Sequence, residues 1–570
     1  FLRGDVADRD LLSLPTRRSS SLFAWSLFVS VPAFAARSAT DYAVAAGSNY
    51  SVSKSQNINL TNNGSTFINS SGRIAGTTTN NGMLNNSGTL NNTTNSGTFY
   101  LTRGTTGSIV NLASGSIRAT FGTMGDVNNY GSMTLSAAET LNVINQQDAT
   151  FSNLSGTING SFENSGTAKL SATAIQGGLT NHASGTFTTN SIIGSDVSNS
   201  GILNLNGSAM VQGNVVSDGG TVTLSGMGVY VLGTLEANGG TFNVINGAVN
   251  ALSGTANGTL TGTLIINRAG NALYSGVMSG PGGISLSGGV QSFSGQNTYT
   301  GMTAVSANAA LNLSGSIAGS LTNNSSAANP TIITSTGKVF GNVLNIGQLT
   351  VNGTIGGLVN NSNTGAIQAA SNAVFEQSLI NSGTATLSSS SVIKGNVTDT
   401  TGSTFNLTGS SQVLGDVNNA GTANINTNAT VVGNFTNSTV LNMDAATIQG
   451  ALSNIGVMTI QNNSHVGSVE NKSGTATFSD STITGAAVND SGGTLTLNAG
   501  TVDSVVNAGT LLLAKNNTVL HNTTNTPGTL TLDGNTINGQ LLANGGTFDV
   551  TANGASIGSL SGSANGTLDG

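Results

Sequence analysis

The chain has 570 residues, of which 6% are charged, 37% are apolar, 79 are glycine, 5 are proline and none is cysteine, with a formal net charge of -7. Such a weak acidic balance carries no electrostatic footprint for nucleic acid or anionic lipid, and we expect no nucleic-acid partner. The apolar content is also too high, and its spacing too regular, for a chain that stays disordered.

The N-terminus reads as an export signal. In "TRRSSSLFAWSLFVSVPAFAARS", Arg17 and Arg18 precede a short apolar run from Ser21 to Val31, followed by the small-residue pattern Ala33-Phe34-Ala35. The run is too short to span a bilayer, which needs about 20 apolar residues. Cleavage is expected between Ala35 and Ala36, making 1–35 a signal peptide. The chain does not begin with Met, and "SLPTRRSSSL" resembles translated sequencing-adapter DNA, so Phe1 to about Ser20 read as partly foreign. The Arg3-Gly4-Asp5 tripeptide precedes the cleavage position and carries no integrin-binding expectation.

Residues 36–150 share the later composition with poorer spacing and read as irregular coils and a cap. From 151 to 262 a repeat emerges, with "GGLTNHASGTFTTNSII", "GSDVSNSGILNLNGSAMVQ", "GNVVSDGGTVTLSGMGVYVL" and "GTLEANGGTFNVINGAV" covering Gly177 to Val249. Its template is GxΦxN, a small turn, ΦxΦ, a polar stretch and a last Φ before the next glycine, where Φ is apolar.

Segment 263–322 differs. It contains "GPGGISLSGGVQSFSGQNTYTGMTAVSANAALNLSG", Gly280 to Gly315, in which Asn297, Thr298, Tyr299, Thr300 and Gly301 form an NTYTG core between glycine-rich strands. This order resembles the passenger-associated transport repeat of bacterial autotransporters, although the basic residue usual between the glycines is missing. The resemblance covers this stretch alone. It implies a β-helical passenger that passes through an outer-membrane β-barrel at its own C-terminus, reaches the surface of a Gram-negative cell or its surroundings, and serves adhesion, autoaggregation or biofilm formation. The lack of cysteine fits a chain threaded through a pore. "ANGGTFNVINGAVNALSGTANGTLTG" from Ala237 recurs as "ANGGTFDVTANGASIGSLSGSANGTLDG" from Ala543, up to the last residue given, so a second transport repeat and the barrel are expected downstream.

The second array, 323–570, shows the template best. Gly395, Gly415, Gly433, Gly450, Gly467 and Gly485 mark units of 20, 18, 17, 17 and 18 residues. Period-two pairs such as Phe405/Leu407, Ala423/Ile425 and Met458/Ile460 give each unit a strand with one buried face. Val397, Val417, Phe435, Leu452, Val469, Val488 and Val505 supply a second inward row, and Val413, Val431, Ile448, Val466, Ile483, Val502 and Val519 a third. Three short strands per unit predict an all-β, right-handed parallel β-helix of about 18 residues per coil. At ~4.8 Å per coil, roughly 29 coils make a rod on the order of 140 Å. Asn381, Asp399, Asn419, Asn437, Asn454, Asn471, Asp490 and Asn507 recur two residues after the first inward position. They are expected at corners, either as a stacked amide ladder or in left-handed turns.

Enzyme signatures are missing from the sequence. His182, His465 and His521 sit in no zinc spacing, no GxSxG or GDSG occurs, and the 19 acids and 11 bases after Ala35 are scattered. We expect no catalysis, metal or cofactor. The unknown partner is a host surface, a glycan or the protein itself. Three other classes compete: a two-partner-secreted filamentous exoprotein, a polysaccharide-acting solenoid, and an ice-binding solenoid. The last is suggested by outward Thr384/Thr386, Thr475/Thr477 and Thr494/Thr496, in rows interrupted at Asn406, Asn424, Val457 and Leu512.

Overall fold

A computed structural model describes residues 38–551 and 554–568; the expected cleavage position at Ala35 and Ala36 lies outside them. Among the described residues there are 74 strands and no helix, joined in one parallel sheet that coils into an elongated β-solenoid of about 29 turns. One coil illustrates the design. Val417–Asn419, Thr422–Asn426 and Thr430–Val431 follow one another, separated by short corners. They pair in parallel with Phe435–Asn437, Val440–Asp444 and the start of Thr447–Asn454 in the next coil. We call the three faces so formed the ladder, long and short faces.

Parity decides what points inward. Along Thr422–Asn426 only Ala423 and Ile425 are buried, while Val417, Asn419, Ala429 and Val431 complete the interior of that coil. A single coil would expose this apolar edge together with a full set of backbone donors and acceptors. Stacking removes both costs, because each strand pairs with the coils before and after it. Aromatic rings stack inside as well, with Phe162 edge-on to Phe151 and Phe187 at centroid distances of 4.9 and 5.5 Å.

Coil length varies without disturbing this register. Successive buried asparagines at 62, 80, 95 and 111 are 18, 15 and 16 residues apart, yet their side chains remain hydrogen-bonded. Residues 36–150, where the spacing is poorest, therefore include coils stacked like the later ones, and the variation is absorbed at corners. Corners after the long face also hold non-glycine residues in the left-handed region, including Asn428 at φ 62° and Asn463 at φ 60°.

One register reading is corrected. Val488 and Asp490 were the expected inward pair, but Ala487 and Asn489 are buried instead and pair with Val469 and Asn471. Val488 is the larger hydrophobe, yet the row it would join needs an amide two residues later, and only Asn489 can continue the chain of hydrogen bonds. Ala487 takes the place in that row between Val469 and Val505.

The buried amides change face along the rod. In the first array the ladder position runs through Asn181, Asn199 and Ser217 to Ala237. Thr255 N–H bonds the Ala237 carbonyl, and the same column continues through Gly254, Tyr274, Phe293 and Leu313 to Ile333. From Ala309–Leu313 onward that column belongs to the long face of each coil. Traced back from Asn323, the second ladder's column instead holds Val305, Leu286, Ile266 and Val249, all apolar. Between the arrays the strand-to-face assignment has thus moved round by one third of a coil. Apolar stacking tolerates this because any inward row accepts any apolar row. An amide row does not, so one ladder ends before the shift and another starts after it.

Candidate functional site

The repeated polar feature of the interior is the amide ladder, built from the GxΦxN template. Asn at the end of each ladder strand points inward, and its Nδ2 donates to the Oδ1 of the next coil. This runs from Asn62 through Asn80, Asn95, Asn111, Asn129, Asn145, Asn164 and Asn181 to Asn199 at 2.7–2.8 Å. Spare Nδ2 hydrogens bond backbone carbonyls at the following corner, as Asn129 does to Gly131 and Thr150. A buried amide with every group satisfied stabilises a unique register, because a one-residue slip would strand it.

The ends of the ladder are closed by other groups. Asn62 follows apolar Val44, and its Oδ1 accepts the Thr66 hydroxyl at 2.9 Å. Asn199 donates to Ser217 Oγ at 3.3 Å. In the second array Asn381 donates to Asp399, Asn419 to Asn437, Asn437 to Asn454, Asn454 to Asn471, and Asn471 to Asn489. Asn489 then donates to Asn507, whereas Asp490 is only half-buried beside this row.

Segment 263–322 packs differently. Within the NTYTG core Asn297 and Tyr299 are buried, Thr298 and Thr300 are exposed, and Gly301 forms the corner. Asn297 accepts the Met278 N–H on Oδ1 at 2.9 Å and donates to the Gly295 carbonyl at 3.1 Å. The Tyr299 hydroxyl lies 2.6 Å from Thr303 Oγ1, and burial pushes its pKa far up, so it acts as a neutral partner in that bond. Phe242, Tyr274 and Phe293 stack edge to face at 5.8 and 6.3 Å, with the Tyr274 hydroxyl on the Ala256 carbonyl at 2.6 Å. A Cβ at Gly258 would lie 2.2 Å from the Phe242 ring, so glycine there admits an aromatic ring. Tyr274 and Phe293 thus occupy the column that continues the first ladder, while the column leading to the second ladder is aliphatic there. Tyr299→Phe is expected to lower stability by about 1–2 kcal/mol by leaving the buried Thr303 hydroxyl without this bond, measured as a shift in the denaturant midpoint.

A second polar row lies outside, and reading the template by its inward residues missed it. At the corner before the ladder strand, Asn396 Oδ1 accepts the Asp416 N–H, Asp416 Oδ1 the Asn434 N–H, and Asn434 Oδ1 the Ala451 N–H, at 2.8–3.0 Å. Asp196 and Asn214 do the same in the first array. The signal was the Asn or Asp directly after the junction glycine at Asn214, Asn396, Asp416 and Asn434, and one residue later at Asp196. Beside this row the outer surface of the ladder strands is concave, with adjoining grooves of about 370 and 320 Å³ that share Ser161 and Glu163.

The histidines are exposed. His521 Nδ1 lies 2.7 Å from Asp503 Oδ1, and Ser504 donates to the other oxygen of that carboxylate; His182 Nε2 is 3.7 Å from Glu163. Among the described residues no three His, Asp or Glu side chains converge as a metal site. Comparison of the chain with protein-family models and with curated proteins finds no match.

Proposed function

We propose that this chain is the passenger of an autotransporter, displayed on or released from a Gram-negative cell, whose rod is a structural and adhesive element. The observation that carries this reading is the unbroken solenoid itself, a single parallel sheet whose exterior is dominated by Asn, Ser and Thr. Such a surface offers many similar weak contacts along its length, which add through multivalency once the rod is held at a surface. Because the strand faces shift between the arrays, the outward row of one strand type does not stay on one side of the rod. That arrangement suits distributed attachment to a host surface, a glycan or another rod. Secretion rests on the transport-repeat resemblance of Gly280–Gly315 and on the N-terminal signal, with a C-terminal outer-membrane β-barrel as the partner in export. Catalysis has no part in this reading.

The test compares cells that express the gene from its own locus with a deletion strain. External protease should digest the chain on intact cells, and deletion should reduce both attachment to surfaces and cell–cell sedimentation. A chain protected inside intact cells would sink the proposal, as would turnover of a polysaccharide by the purified protein. One observation favours a second reading. Thr475, Thr494, Thr510, Thr529 and Thr547 form an outward row on consecutive paired strands, a geometry that can order water. The parallel row is broken by Leu512 and Asp549. Thermal hysteresis in the purified chain would favour ice binding over adhesion.

A further inference from the structure

Asp399 departs from the rule that the amide rungs follow. Within a ladder, an Asn that stands between two rungs accepts on Oδ1 from the coil before and donates through Nδ2 to the coil after, as in Asn345 to Asn361 and Asn361 to Asn381, both at 2.7 Å. Asp399 accepts on Oδ1 from Asn381 Nδ2 and from the Ser403 hydroxyl, both at 2.6 Å. Its Oδ2 has no partner, although the residue is only 1% exposed. That oxygen is aimed at the next rung. A Cβ on Gly421 would lie 2.7 Å from Asp399 Oδ2, and the Gly421 N–H donates to Asn419 Oδ1 at 3.2 Å. Two acceptor oxygens from successive rungs therefore converge on one glycine. Without a proton they would repel each other in a site closed to water.

We propose that Asp399 folds as the neutral carboxylic acid, its Oδ2–H donating to Asn419 Oδ1, which makes this rung an acid-stabilised joint in the rod. The proton joins the two halves of the second ladder, 323–399 and 419–525, into one directional chain of hydrogen bonds. It comes from solvent: above the ordinary carboxylate range, folding takes up one proton.

The surroundings of Asp399 favour this state. Asn381 faces it from the coil before, Asn419 and Gly421 from the coil after, and Ser403 from its own turn, none of them titratable. Lys394, Glu376 and Asp416 of the adjoining coils are exposed, with Lys394 paired to Glu376 at 2.7 Å. Burial holds the Asp399 carboxyl above its ordinary pKa, against the smaller lowering effects of the Ser403 and Asn381 donors. The sign follows from linkage. Below the ordinary Asp pKa both folded and unfolded chains hold the proton, and the stability of the rung is fully present. Between that pKa and the raised folded value only the folded chain holds it, and the folding equilibrium falls about tenfold per pH unit; above the folded value the loss is complete.

The experiment compares the full chain with Asp399→Asn by hydrogen exchange of peptides covering 397–425, from about pH 3 to about pH 8, corrected for intrinsic exchange rates. Wild-type protection should fall as pH rises through the window, while the Asn variant, with a complete amide rung, should hold its protection and exceed wild type at the upper end. An identical pH profile in the two proteins would overturn the proposal, as would wild-type protection that rises with pH. An infrared measurement keeps the test independent of how the variant folds. The folded wild type should show a protonated-carboxyl band that titrates above the ordinary Asp range. If every carboxyl of the folded chain titrates within that range, the proposal fails.

Discussion

Ile425→Asp is expected to open the rod around its own coil and to cost at least ~4 kcal/mol locally. Ile425 is buried, paired in register with Leu407 in the coil before and Met443 in the coil after. Losing the apolar contact alone removes about 1.5–3 kcal/mol, and the carboxylate introduced has neither a partner nor water. It must take up a proton or force the coil apart. Because a solenoid's stability is approximately a sum of coil and interface contributions, the damage should concentrate in the three coils around Ile425 and leave distant ones protected. Limited proteolysis and hydrogen exchange would show this as a new cleavage window near 405–445. The paired control is Thr422→Asp, three residues away on the outward face of the same strand, which should cost less than about 1 kcal/mol. Equal damage from the two would mean that the inward and outward assignment is wrong.

That contrast also shows what the sequence makes legible. Inward and outward are local matters: two residues apart along a strand means the same face, so Ala423, Ile425 and Val431 can be assigned from the order of residues alone. The fold follows, since repeated edges of this kind have no burial except against copies of themselves. Asn419 and Asn437 were legible for the same reason. Hydrophobicity misled at Val488, where the bulkier side chain outweighed an intact GxΦxN reading of Gly485, Ala487 and Asn489. The row there is fixed by a hydrogen bond to Asn471, 18 residues away in sequence, not by the size of one side chain. The shift of faces between the arrays was hidden for a related reason. It depends on the sum of all residues spent at corners between Ser217 and Asn323, and no local pattern records that sum. Corner residues such as Asn396 and Asp416 carry no inward signal in the template, because their partners are backbone N–H groups one coil later.

Asn437→Leu is the second large effect, expected to cost about 3 kcal/mol. Asn437 is buried, accepts Asn419 Nδ2 at 2.7 Å, and donates to Asn454 Oδ1 at 2.7 Å and to the Val457 carbonyl at 3.1 Å. Leucine fills similar space but offers none of these bonds. Asn419 keeps its bond to the Val440 carbonyl, and Asn454 Oδ1 keeps the Gly456 N–H, so each neighbour is left partly rather than wholly unsatisfied. Each buried group stranded in this way costs about 1–3 kcal/mol. The rod itself contains the contrasting case: at Val305, Leu286 and Ile266 the corresponding column is apolar over successive coils, with no amide stranded between them. The penalty therefore belongs to the boundary between an amide rung and an apolar one. Replacing Asn419, Asn437 and Asn454 together by leucine should then cost less than three times the single change, because the bonds within the block disappear from both sides at once. Denaturant midpoints of the single and triple variants decide the point. A strictly additive result would show that each amide stabilises its coil independently, and the ladder would lose its role as a connected device that fixes register.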